Sequence, residues 1–147
     1  MTYHTILNKL PYTKPFLFVD DLVSITSNRV EGVYTFKADE YFYKGHFTDN
    51  PVTPGVILVE CMAQIGLVCL GIFLLKDSSE DKLGEKMQIA LSSHQMDFYT
   101  PVFPKERVTV ISEKEYFRFN KLKCNVKMLN KAGEIVAKGT ISGMFKN

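Results

Sequence analysis

The sequence predicts an α+β domain in which an antiparallel sheet wraps around one long central hydrophobic helix. Three observations lead there. Val56 to Leu75 is an apolar run of twenty residues with a single charge. Several segments on either side alternate apolar and polar residues with period two, the pattern of half-buried antiparallel strands. Asn130-Lys131-Ala132-Gly133 between the last two such segments is a hairpin loop with a glycine to supply positive φ. At 147 residues the chain has the length of one domain, 1–147, large enough to build a core without disulfides or metal.

In chain order the elements are a short N-terminal helix, two strands, a long loop, the apolar helix and a run of strands. Residues 29–36 place Val30, Gly32, Tyr34 and Phe36 on one face of a strand. The apolar run is long enough, at roughly 30 Å, to cross a bilayer. Glu60 and Gln64 lie within it one turn apart, and an ionisable group is expensive in lipid. Thr53 as N-cap and Pro54 as first helical residue mark the start of a globular helix instead. No membrane span is expected.

Beyond the helix, Asp77 to Lys86 reads as a surface loop, and 87–99 and 106–119 read as long strands. Residues 121–128 point Leu122, Cys124, Val126 and Met128 inward and Lys121, Lys123 and Lys127 outward. Residues 135–145 align Ile135, Ala137, Gly139, Ile141, Gly143 and Phe145 on one side. An antiparallel sheet around one apolar helix is the economical packing of these parts.

The net charge of +2 is too small to announce a nucleic-acid partner. Its distribution is uneven, with ten Lys/Arg against four acidic residues over 105–147. Lysines on solvated strands account for much of this. The three cysteines, Cys61, Cys69 and Cys124, are odd in number and form no C-x-x-C, so they read as small buried hydrophobes. The opening Met-Thr-Tyr-His-Thr-Ile lacks a signal-peptide pattern, and the expected compartment is a reducing cytoplasm.

Chemistry concentrates in residues 45–64. A loop bears His46, passes through two prolines and enters a helix that carries Glu60 fourteen positions later. A histidine can act as a base near neutral pH. Desolvation favours the protonated form of a carboxyl, so an acid on an apolar helix can deliver a proton. The helix start offers unpaired N–H groups at Gly55 and Val56, suited to a developing oxyanion, and Gly55 allows close approach of a ligand. Taken singly, His46 also reads as a loop histidine bonded to backbone and Glu60 as half of a structural ion pair. Two such residues are too few for a metal site, and His4 and His94 complete no ligand set.

The string Gly45-His46-Phe47-Thr48-Asp49-Asn50-Pro51-Val52-Thr53-Pro54-Gly55-Val56, followed by Glu60 and Met62-Ala63-Gln64, resembles the signature of the FabZ-type (3R)-hydroxyacyl-(acyl-carrier-protein) dehydratases. Upstream, Leu10-Pro11-Tyr12 through Val19-Asp20 resembles the family's L-P-H-R-Y-P-F-L-L-V-D. Downstream, Phe98-Tyr99-Thr100-Pro101-Val102 and Pro104 resemble F-R-x-P-V-x-P-G-D. The resemblance implies the hotdog fold and water elimination without a cofactor. It implies that His46 abstracts the C2 proton, that Glu60 assists departure of the C3 hydroxyl, and that the Gly55 N–H holds the thioester carbonyl. It implies an acyl carrier protein as partner and a homodimer whose sites each draw the two residues from different subunits. A glutamate at position 60 favours this type over the isomerising dehydratases, which carry aspartate.

Departures from the pattern lie around these residues. Thr48-Asp49 replace Pro-Gly, Thr53 a methionine, Tyr12 a histidine, Asp21 an arginine and Lys105-Glu106 a Gly-Asp. None removes the acid/base pair. The activity itself serves fatty-acid synthesis or a specialised acyl pathway, and such drift suits a paralogue of the specialised kind, of aryl-polyene or polyketide-like type. Val56, Gln64, Phe98 and Tyr99 are expected to bind substrate, with Gln64, Leu67 and Gly71 forming a slim helix stripe beside an acyl tunnel. Close packing of helix on sheet explains the glycines of that stripe equally well. Arg107, Arg118 and Lys121 are expected to dock an acidic carrier protein.

Other functions fit the same layout: an acyl thioesterase, a non-catalytic partner subunit, or a nucleic-acid binder using Tyr116, Phe117, Arg118, Phe119, Lys121 and Lys123. Retention of both His46 and Glu60 argues against a scaffold. Strand alternation places many of those aromatics in the core, against nucleic-acid binding.

Overall fold

A computed structural model describes residues 1–76 and 88–146 of the chain. The expected surface loop Asp77–Lys86, and Met87 at the start of the next expected strand, lie outside the described residues. Helix α1 (Tyr3–Asn8) is capped by the Thr2 hydroxyl, which accepts from Thr5 N–H. Strands β1 (Asp21–Ile25) and β2 (Arg29–Thr35) form a hairpin, followed by a short 3₁₀ turn at Tyr41–Lys44. Helix α2 spans Gly55–Leu74. Strands β3 (Gln88–Phe98), β4 (Arg107–Arg118), β5 (Lys121–Leu129) and β6 (Ile135–Lys146) complete the fold.

One six-stranded sheet in the order β1-β2-β4-β5-β6-β3 holds every described strand, and each neighbouring pair is antiparallel. Leu122, Cys124, Val126 and Met128 of β5 are all buried beneath it, as their alternation predicts. In β6 a register irregularity next to Met128 turns Ile135 outward and brings Val136 into the core, so the expected inward row starts at Ala137. The hairpin at Asn130–Gly133 closes as expected, with Gly133 at φ 85°.

The sheet curls over α2, whose apolar sequence is buried over 83% of its most hydrophobic window. Its length would cross a bilayer, but protein surrounds it. Phe18, Phe36, Val110, Leu122 and Ile141 from the flanking segments join it in one continuous core. All three cysteines are buried thiols, and burial pushes Cys69 up to about 12 and Cys124 up to about 11.

The helix start differs from the sequence expectation by one residue. Pro54 occupies the capping position and Gly55 is the first helical residue. The Thr53 hydroxyl is engaged instead with the Tyr43 hydroxyl at 2.7 Å. Pro54 has no side chain with which to cap, and no side-chain cap bond forms at this terminus.

Halfway along, the helix widens to a π-type turn over Gln64–Cys69. The wide turn sits where α2 comes closest to β4. A Cβ on Gly66 would stand 2.9 Å from Ser112 Cβ, and the Ser112 hydroxyl donates to the Gly66 carbonyl at 2.8 Å. A Cβ on Gly71 would overlap the Phe145 ring, and Leu67 is wholly buried. The Gln64–Leu67–Gly71 stripe is therefore packed solid rather than open to an acyl chain, because the sheet fills the space that its small residues leave.

This contact sets two effects against each other in Gly66→Ala. Higher helix propensity contributes about 1 kcal/mol of stability, while overpacking against a buried strand costs about 1–3 kcal/mol. We expect net destabilisation, read as a lower urea midpoint with unchanged m-value. A stabilised Gly66→Ala protein would show that the helix does not need this close approach.

Candidate active site

His46 sits in the loop between the 3₁₀ turn and α2. Its backbone N–H donates to the Phe42 carbonyl at 3.1 Å, and its carbonyl accepts from Val52 N–H at 2.9 Å. Phe47 N–H and Asn50 N–H each bond the other's carbonyl, closing a tight turn over Thr48 and Asp49. Asp49 takes φ 63° there, the left-handed region that aspartate tolerates better than most residues. Replacement of Pro-Gly by Thr-Asp thus leaves a turn beneath the histidine.

The imidazole is oriented on two sides. Its ring stacks on Phe47 with centroids 4.0 Å apart. Its Nδ1 lies 2.9 Å from the Val52 carbonyl, which can only accept, so Nδ1 carries the proton and Nε2 presents a lone pair. In the neutral ring this contact leaves the Nε2 lone pair facing away from the backbone.

Val52, Thr53, Gly55, Leu58, Phe98, Tyr99, Thr100 and Pro101 join His46 around a groove of ≈ 380 Å³. Thr53 N–H donates to the Val102 carbonyl at 2.8 Å, which ties the entry to α2 to the segment after β3. Burial pushes the Tyr43 phenol, hydrogen-bonded to Thr53, up to about 12, so it stays neutral beneath the groove. A Cβ on Gly55 would stand 3.3 Å from the Phe98 ring, so glycine keeps the helix terminus open. The groove combines an imidazole with a helix start at which no side chain caps the first N–H groups.

Of the residues expected to bind substrate, Gly55, Phe98 and Tyr99 meet His46 here, whereas Val56 and Gln64 do not. Val56 projects away from the groove and is 76% exposed. Gln64 is completely buried and its amide is fully engaged. Its Oε1 accepts from Phe18 N–H at 2.8 Å, and its Nε2 donates to the Phe16 carbonyl at 3.0 Å and to Glu60 Oε2 at 2.9 Å. The two backbone partners fix which end of the amide faces Glu60, and that end can only donate. The Gln64 amide holds the Glu60 carboxyl and does not line the groove beside His46.

Glu60 itself is half-buried and does not line the groove of its own chain. It lies about 200° round the helix from Leu58, toward the Phe16–Phe18 segment. Tyr12, where the pattern has histidine, stands beside it. Burial first, and the Glu60 charge second, push the Tyr12 phenol well above its usual range. Within one chain, therefore, His46 lines the groove and Glu60 does not.

The three basic residues expected to dock a carrier are also divided. Arg107 pairs with Thr35 at one end of β4, and Arg118 pairs with Lys121 at the other. Eleven residues of strand, about 36 Å, separate them, so they form no single patch within a chain. Among the described residues no group of three or more His, Cys, Asp or Glu could hold a metal ion. The sequence reading missed Leu58 and the Val52 carbonyl. Leu58 follows Gly55 by three positions on one helix face, a signal available in the sequence, whereas the carbonyl left none.

A model of the FabA-like domain matches residues 10–142. A 3-hydroxyacyl-[acyl-carrier-protein] dehydratase FabZ from Rhizobium rhizogenes is 32% identical over 144 residues, covering 95% of this chain and 85% of that protein. Another FabZ, from Psychrobacter arcticus, is 43% identical over 82 residues, 55% of this chain and 56% of that protein. Among solved structures, the dehydratase heterocomplex ApeI:P from Xenorhabdus doucetiae superposes with a TM-score of 0.79 at 14% identity, over 97% of this chain and 91% of that one. A thioesterase from Haemophilus influenzae superposes with a TM-score of 0.67 at 13% identity, over 100% and 92%. The expected hotdog fold is thereby met, and the chain belongs to the FabA-like family, among the relatives of the FabZ-type dehydratases.

Proposed function

We propose that the chain dehydrates (3R)-hydroxyacyl thioesters on an acyl carrier protein to trans-2-enoyl thioesters, as a homodimer with shared sites. The observation that carries this reading is the groove, where His46 offers Nε2 beside the N–H groups at Gly55. Nε2 takes the C2 proton, and the charge that develops on the thioester oxygen is held by the Gly55 N–H. The C3–O bond then breaks, and the departing hydroxyl takes a proton from Glu60 to leave as water. The Gln64 amide donates to Oε2, which leaves Oε1 to carry that proton. Proton return from the imidazolium to the carboxylate resets the site.

The homodimer brings together what one chain keeps apart. Among the described residues, strand β3 ends the sheet with one open edge, and its burial pattern is that of a strand exposed on both faces. Leu91, Phe98 and the neighbouring Tyr99 are large exposed side chains along it. An open, partly apolar edge is a template for pairing. Antiparallel pairing with a second β3 would make one twelve-stranded sheet and present each groove with the other chain's Glu60.

Pairing also reunites the basic residues. Arg118 and Lys121 lie level with Met144 and Ala90, near the start of β3, while Arg107 lies at the end where β3 finishes. Antiparallel pairing would set the second copy's Arg118 and Lys121 on the same sheet edge as this chain's Arg107 and groove. Three strand spacings, about 14 Å, would separate that hairpin from β3. The finer reading, a polyunsaturated or aryl acyl chain, rests on the departures flanking His46.

The deciding measurement is mass spectrometry of a (3R)-hydroxyacyl carrier thioester after incubation with enzyme. Loss of one water is expected for wild type, and a fall of at least about 10²-fold for His46→Ala and for Glu60→Gln. Mixing the two variants should restore part of the rate if a site spans two chains. Free acid as product would favour the thioesterase reading instead. Charge reversal at Arg107 and Arg118 should raise KM for the carrier-linked substrate and leave a small thioester unaffected; equal effects on both refute docking there. Saturated chains turned over as well as polyunsaturated or aryl ones would overturn the specialised reading.

A further inference from the structure

The tip of the β4–β5 hairpin combines features that the fold itself does not require. Phe119 is 93% exposed, more than any other large hydrophobic residue described. The aromatics that alternation is expected to bury here are not buried core: Tyr116 and Phe117 are half-buried, and Phe119 falls in the turn. Phe119 and Asn120 adopt φ 52° and 62°, a two-residue turn with both central residues left-handed. Such turns favour Asn-Gly or Asp-Gly, and phenylalanine is among the side chains least suited to that backbone.

Directly beneath it, Arg118 and Lys121 are cross-strand partners, and like charges in that position repel. Among the described residues neither has a carboxylate partner, whereas neighbouring Lys123 is paired with Glu115 at 3.3 Å. The Arg118 guanidinium instead lies over the Tyr116 ring, 4.4 Å from its centroid. Asn120 carbonyl accepts from Phe145 N–H at 2.8 Å, which anchors the turn to β6. The result is an exposed aromatic ring on an anchored turn, above two cations that no described carboxylate pairs.

We propose that Phe119 is an apolar anchor for the acidic carrier protein, seated on an apolar patch of the carrier while Arg118 and Lys121 meet carboxylates around it. This rests on the dehydratase reading, which supplies an acidic partner and puts the hairpin on the sheet edge of the second chain's groove. A buried aromatic ringed by complementary charge is the composition of an interface hot spot. Pre-organisation by the turn lowers the ordering cost of that contact.

Phe119→Asn tests the idea, because asparagine suits the left-handed backbone while removing the ring. Binding of a (3R)-hydroxyacyl carrier protein is measured by calorimetry, alongside thermal unfolding and turnover of the carrier substrate and of a small thioester. Expected are a Kd for the carrier weaker by about tenfold, a raised melting temperature and unchanged small-thioester turnover. Unchanged carrier Kd overturns the proposal, as does an equal loss with the small thioester or a change of oligomeric state. Wild-type binding to anionic phosphatidylglycerol vesicles that vanishes in Phe119→Asn, with carrier Kd intact, would assign the tip to a lipid surface instead. Carrier binding without water loss would sink the dehydratase reading alone, since the binding arm does not depend on turnover.

Discussion

Everything in this molecule hangs on the contact between one apolar helix and the inner face of one curled sheet. α2 cannot hide its surface by itself, because its sequence is apolar nearly all round. The sheet covers it only if helix and strands approach closely, and small residues at the crossing points make that approach possible. Gly66 lies under Ser112 and Gly71 under Phe145. Ser112 brings a hydroxyl into the core, and the Gly66 carbonyl satisfies it. The same seating fixes the direction of the helix start, and so where Gly55 opens toward His46.

Much of this layout was legible in the sequence. The period-two runs at 121–128 and in β2 could be assigned to faces because one side is buried and the other wet. The apolar run was readable as a core helix because Glu60 and Gln64 argue against lipid. What failed were local exchanges of partners. Thr53 looks like an N-cap, but Tyr43 claims its hydroxyl across the loop. Ile135 continues an alternation that a register irregularity beside Met128 breaks. Both depend on contacts distant in sequence.

The candidate site was legible in a different way. His46, Glu60 and Gly55 stand out by residue type and spacing, yet their spacing does not say that the acid and the base face apart. Gln64 was placed on a substrate stripe because it follows Glu60 by one turn. The structure uses that same turn to hold the carboxyl, through an amide whose orientation is set by the backbone of Phe16 and Phe18. The departures near His46 proved milder than they read. Asp49 and Lys105, which stand where the pattern has glycine, both adopt positive φ, at 63° and 74°. Lys105 N–H donates to the Phe36 carbonyl, holding the segment before β4.

The open edge of β3 bears on how such a chain can change over generations. If the base and the oxyanion donors work in one copy while the acid works from its neighbour, the number of working sites follows the number of pairs rather than of chains. Two copies need not then stay identical. A duplicate that kept its β3 edge and Glu60 but lost His46 would still complete one site in a mixed pair, leaving its own groove free to drift. On the proposed pairing, division of labour between sister chains would follow from a strand that, among the described residues, stops one partner short.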